Sequence, residues 1–182
     1  METSNNLDGF YAIRVNSSYQ DYFEKRYEPL LSVINSFNPR VVREEGIGIG
    51  SVSKAINKTK EIFTYGFDNS KRVLKLCEEN TPETFTYCDC IVNTDKSAYR
   101  SIKTDLVVTH GVLEHFSDYN IRKIINRHRS ENIKTVHYVP LNKYIKPSFG
   151  DERLLPYEHW LDLVQPKDFL LFNDNHDLLL IN

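Results

Sequence analysis

A chain of 182 residues sits at the size of one compact domain able to bury a real core. Its 23 Lys and Arg against 25 Asp and Glu leave a net charge of −2, so there is no basic surplus to bind nucleic acid by bulk electrostatics. With 40% apolar and 26% charged residues, no window nears the roughly 18 apolar residues of a membrane span, and the opening segment lacks a basic stretch followed by an apolar run; no membrane partner and a cytoplasmic location are expected.

Tyr19 to Phe37 places Tyr19, Tyr22, Phe23, Tyr27, Leu30, Leu31 and Ile34 at helical spacing, which predicts one amphipathic helix. After Pro39 the β-branched pair Val41-Val42 leads into Glu44-Glu45 as a buried strand, and three of the seven glycines, Gly46, Gly48 and Gly50, follow within five residues. Ser51 reads as the N-cap of a helix that turns Val52, Ala55 and Ile56 to one face. The alternation repeats: strand Ile62 to Phe67, helix Lys71 to Asn80 with Val73, Leu74 and Cys77 inward, strand Phe85 to Cys88, strand Asp105 to Thr109, helix Asp118 to Arg129, strand Thr135 to Val139. Strands and helices in this order predict an α/β fold, an open, mostly parallel sheet with helices on both faces. The tail differs. After a helix around Glu158 to Leu163, the apolar runs Asp168 to Phe172 and Asp177 to Ile181 are separated only by Asn173 to His176, which predicts an antiparallel hairpin.

The glycine turn leaves the carboxyl end of a strand, where missing side chains let a ligand approach the backbone. Gly48 and Gly50 are separated by a single residue, which departs from the dinucleotide fingerprint, and no Gly-Lys-Ser/Thr follows to make a P-loop. Eighteen residues after Gly50, Asp68 ends the second strand, where a carboxylate can accept both hydroxyls of a ribose; Asp89 ends the third, where one can accept from an adenine amino group. A ligand-free structural turn at the glycines and a helix-capping Asp68 are the plain alternatives. Cys77, Cys88 and Cys90 fit neither a disulfide framework nor paired zinc spacing and read as free thiols. The spacing of His110, Glu114 and His115 does not set two imidazoles on one helical face, so no metal is expected and His115 reads as a packed, loop-holding histidine.

With these residues in place, the chain resembles the class I S-adenosylmethionine-dependent methyltransferases. Glu44-Glu45-Gly46-Ile47-Gly48-Ile49-Gly50 is similar to the family's first motif, Gly66-Phe67-Asp68-Asn69-Ser70 to its second-strand motif, Asp89 to its third-strand acid, and Asp105 through Phe116 to its fourth-strand segment. The isoleucines between the glycines depart from the smaller or polar residues common there. The resemblance implies a Rossmann-like seven-stranded sheet with an antiparallel final strand, a single domain with a helical cap over 1–38 and a cofactor-binding core over 39–182, and S-adenosyl-L-methionine as cofactor. It implies that Gly46, Gly48 and Gly50 line the cofactor, Glu44 reaches its amino group through water, Asp68 takes the ribose, Asn69, Asp89 and Cys90 meet the adenine, and His110 and Gly111 lie beside the transferring methyl. Tyr19 and Tyr22 of the first helix and the stretch Asn142 to Trp160 are expected to close the pocket. An imidazole at His110 with an ordinary pKa near 6.5 is the candidate general base. The expected acceptor is a small molecule; a methyltransferase acting on RNA, DNA or protein, and a non-catalytic cofactor-binding regulator, are the alternatives.

Overall fold

The computed structural model describes residues 10–11, 14–58, 61–92, 102–147 and 151–182. Two helices come first, α1 (Ser17–Arg26) and α2 (Glu28–Ser36), followed by β1 (Val41–Glu45), α3 (Ser51–Asn57), β2 (Phe63–Asp68), α4 (Lys71–Asn80) and β3 (Phe85–Cys88). The second half runs β4 (Leu106–His110), a short 3₁₀ turn over Leu113–His115, α5 (Asp118–Ser130), β5 (Lys134–Pro140), α6 (Tyr157–Val164), β6 (Asp168–Phe172) and β7 (Asp177–Ile181). The strands form one sheet in the order β3-β2-β1-β4-β5-β7-β6, parallel except that β7 runs antiparallel to both its neighbours. The chain starts at β1, winds outward to β3, then returns beside β1 at β4, so the strand order reverses between β1 and β4.

The predicted single helix over Tyr19 to Phe37 is instead two. Pro29, in the first turn of α2, has no N–H to donate, and its ring would clash with the carbonyl one turn earlier, so the chain breaks at Tyr27 (φ −104°). Ser51 is the first residue of α3 and not its N-cap; that place belongs to Gly50, at φ +77°. The α4 cap is the Ser70 hydroxyl, which accepts from the Val73 N–H, so Asp68 does not cap that helix itself. The β6–β7 hairpin turns through Asn173, Asp174 and Asn175, all left-handed and all short polar residues that tolerate that conformation.

Strand alternation divides the core between the two faces of the sheet. Leu178 and Leu180 pack with Ile121, Ile124, Trp160 and Val164 under α5 and α6, while Leu179 packs with Leu30, Ile34, Val52 and Ile56 under α2 and α3. The same alternation parts the two adjacent acids of β1. Glu44 turns to α3, and Glu45 to α5, where it is fully buried against Arg43 (3.1 Å), Arg127 (2.8 Å) and His128 (3.1 Å). Burial alone would raise the Glu45 pKa, but His128, Arg127 and Arg43 hold it well below the usual carboxylate range. Among the described residues, no helix is long and apolar enough to cross a membrane.

Candidate active site

The turn after β1 is set by backbone bonds: Gly46 and Ile47 both donate to the Phe67 carbonyl of β2 (2.7 and 3.0 Å), and Gly50 donates to Ile47 (2.9 Å). Its three glycines have different reasons to be glycine. A Cβ on Gly46 would lie 2.4 Å from a methyl of Val112, and one on Gly50 would lie 2.7 Å from the Thr81 hydroxyl and 2.9 Å from the Cys77 sulfur. Those two positions are filled by protein packing. At Gly48 (φ +56°) the nearest atom is the movable ring of Tyr11, 3.3 Å away, so this glycine presents backbone to the cleft. Ile47 answers the question raised by its size: it is buried, packs with Leu74 and Cys77, and covers Gly66 of β2 so closely that a Cβ there would lie 2.2 Å from it.

The acids at the strand tips are held by backbone amides. Asp68 accepts from Gly48 N–H (3.2 Å) with one oxygen and from Ser70 N–H (2.9 Å) with the other; burial raises its pKa, and these bonds draw it back only in part. Asp89 lies beside it, its N–H donating to the Asp68 carbonyl (2.9 Å), and one of its oxygens accepts from Cys90 N–H (2.8 Å). Glu44 is 2% exposed and accepts from both the N–H (3.1 Å) and the hydroxyl (2.5 Å) of Ser53. Burial pushes its carboxyl up to about 8; the Ser53 bonds oppose the shift and the Asp68 charge adds to it.

Between β1, β4 and α1 opens a cavity of about 400 Å³. Glu44, Gly46, Gly48, His110, Gly111 and Glu114 line its floor, and Tyr19, Tyr22, Tyr27 and Tyr144 its wall. Gly50, Asp68, Asn69, Asp89 and Cys90 do not line it; the last four gather on the neighbouring tips of β2 and β3, where Asp68 is in register with Cys88. The structure therefore brings the predicted residues, apart from Gly50, together at one edge of the sheet in two adjoining groups, while Gly50 packs against Thr81 and Cys77.

His110 differs from expectation. Its ring stacks on Tyr138 (4.5 Å) and meets Tyr27 edge-on (4.4 Å), its Nε2 is buried with no hydrogen-bond partner among the described residues, and burial pulls its pKa down to about 3. A ring so enclosed is neutral at pH 7 and holds an added proton poorly, which counts against its use as a general base. Its place is in the aromatic wall.

Two contributors escaped the sequence reading. Tyr11 lies over Gly48, and no local pattern marks it. Asp177, the only acid in the apolar run Asp177 to Ile181, is fully buried and accepts from the hydroxyls of Tyr138 (2.8 Å) and Tyr144 (2.7 Å) and from Arg26 (3.1 Å). It ties α1, β5 and the loop after β5 into one wall.

Comparison of the sequence with protein-family models and with curated proteins gives no match. Solved structures do match. The PH0226 protein of Pyrococcus horikoshii superposes with a TM-score of 0.72 at 12% identity over 92% of each chain. A TehB-like SAM-dependent methyltransferase of Corynebacterium glutamicum reaches 0.64 at 14% identity, over 91% of this chain and 98% of that one. The chain has the class I methyltransferase fold. Human N-acetylserotonin methyltransferase, solved in complex with S-adenosylmethionine, agrees at a TM-score of 0.70 and 11% identity over 99% of this chain, which spans 58% of that larger protein. The methyltransferase fold, with its antiparallel strand at β7, is the architecture expected from the motifs.

Proposed function

We propose that this protein transfers a methyl group from S-adenosylmethionine to a small molecule held in the cavity between β1, β4 and α1. The observation that carries the reading is where that cavity lies. In open α/β sheets ligands bind beyond the carboxyl ends of the strands where the strand order reverses, and the 400 Å³ space opens there, at a size suited to a small ligand.

The residues present fit the cofactor. Gly48 offers bare backbone with the Tyr11 ring nearest to it, Asp68 and Asp89 present carboxylates to a ribose and an adenine edge, and buried Glu44 faces the place for an ammonium group. S-adenosylmethionine, when bound, supplies a sulfonium methyl already activated for in-line displacement. The protein then has to position and dry the reactants. Tyr19, Tyr27, Tyr138 and Tyr144 form a firm wall because Asp177 gathers two of their hydroxyls and Arg26 in one buried cluster. His110 fills that wall as a neutral ring.

Calorimetry with S-adenosylmethionine and with its demethylated product tests the reading. Both are expected to bind with one site per chain; absence of heat and of any thermal shift at millimolar concentration of either would overturn it.

A further inference from the structure

Glu114, His115 and Glu152 bring one ligand atom each to within 4.8 Å of one another, beside the floor of the cavity that Glu114 and Glu152 both line. A divalent cation with bonds of about 2.1 Å sets adjacent ligand atoms about 3 Å apart and opposite ones about 4 Å apart, so modest side-chain adjustment brings these three around one ion. We infer that this cluster is a divalent-cation site at the acceptor end of the cleft.

A gathering of acids alone would carry little, but Glu114 adds an independent observation. It is 1% exposed, its Oε2 is buried without a hydrogen-bond partner among the described residues, and a buried atom of this kind calls for a partner. The histidine is set for the task. Its Nδ1 meets the Asp151 carboxylate at 2.9 Å; a carboxylate accepts, so Nδ1 donates, and in the neutral ring that tautomer leaves the lone pair on Nε2, the pairing by which carboxylates orient metal-binding imidazoles. The two halves of the site are also latched together. Arg153 N–H donates to the Glu114 carbonyl (2.9 Å), and its guanidinium reaches the Asp118 carboxylate (2.5 Å), fixing Glu152 against the 3₁₀ turn.

Two carboxylates and one imidazole suit a hard to borderline ion such as Mg²⁺ or Mn²⁺, and three protein ligands leave coordination positions for the acceptor. Resting on the methyl-transfer reading, the site selects an acceptor with an oxygen donor. The cation lowers the pKa of a coordinated hydroxyl, which loses its proton to water; the O–CH3 bond then forms as the bond from methyl to sulfur breaks with its electron pair left on sulfur. This supplies the activation that His110 does not.

The test uses the full chain, stripped with chelator and titrated with Mn²⁺ alone while free Mn²⁺ is read by electron paramagnetic resonance. One Mn²⁺ per chain is expected, weakened at least tenfold by Glu114→Gln and by the partly exposed substitutions His115→Gln and Glu152→Gln, with melting temperatures of the last two near wild type. A wild type that binds no stoichiometric Mn²⁺ at millimolar concentration, or folded His115→Gln and Glu152→Gln variants that bind it as wild type does, would overturn the inference. Calorimetry with S-adenosylmethionine in chelator reports the methyl-transfer reading separately, so failure of either is distinguishable from failure of the other.

Discussion

Replacing Glu44 by glutamine removes a carboxyl that burial holds protonated up to about pH 8. At pH 7 such a group carries about 0.9 of a proton in the free protein. An ammonium placed beside it favours the ionised form and draws the pKa back toward its ordinary value of 4.5, so binding of S-adenosylmethionine should release close to one proton per site. Calorimetry in buffers of different ionisation enthalpy, with chelator present to keep divalent ions out, measures that number directly as the slope of apparent against buffer enthalpy. Glu44→Gln should bring the Glu44 part of the slope to zero and weaken binding; Asp68→Asn separates any proton released by the neighbouring carboxyl. The same shift has a signature without ligand. Between the ordinary value of 4.5 and about 8 the native state holds a proton that the unfolded state has lost, so wild-type stability falls as pH rises through that window. The contribution is a few kcal/mol, at most about 5 from 3.5 pK units at 1.36 kcal/mol each, and the variant lacks it. Binding heats independent of buffer in the wild type would refute the placement of an ammonium at Glu44.

Asp68→Ala should weaken S-adenosylmethionine by roughly 1.5–3 kcal/mol, the worth of charge-assisted bonds to a ribose, and should lower the melting temperature because Gly48 and Ser70 lose their acceptor; an unchanged dissociation constant in the folded variant would move the ribose elsewhere. Gly48→Val should abolish binding at a smaller loss of melting temperature than Gly46→Val, whose Cβ meets Val112 at 2.4 Å; the opposite order would show that the cleft side of the turn is structural. For His110, with a pKa of about 3 against an ordinary 6.5, the unfolded chain takes up a proton that the native ring refuses, so stability falls as pH drops from about 6.5 toward 3. His110→Gln should flatten that acid loss in urea titrations, and the rate profile of the wild type should lack a limb governed by His110 near pH 6 to 7, whose appearance in the wild type and loss in the variant would restore the base.

The sheet and the gathering of strand tips at one edge were legible because their signals are local. Strand and helix periods, the glycine cluster and the acids at Glu44, Asp68 and Asp89 each announce themselves within a few residues, and a parallel sheet with crossover helices then has to bring strand ends to one edge. Pro29 was equally local, and its break in the first helix was there to be read. What the sequence does not show is pairing across distance. Glu114 and Glu152 stand 38 positions apart, Arg26 and Asp177 stand 151 apart, and neither pair has a spacing that marks it. His110 makes the point in energetic terms: its type and its place after β4 suggest a titrating base, yet its pKa depends on Tyr27 from α1 and Tyr138 from β5 closing around it. Asp177 lies between the two cases. An acid at the head of an otherwise apolar strand must find donors once buried, since an unpaired buried charge costs several kcal/mol. That demand is visible in the run Asp177 to Ile181, while the donors come from α1, β5 and the loop after β5. Because one carboxylate satisfies all of them, Arg26, Tyr138 and Tyr144 hold together as a unit, and the cavity they line takes its shape from an acid that does not line it.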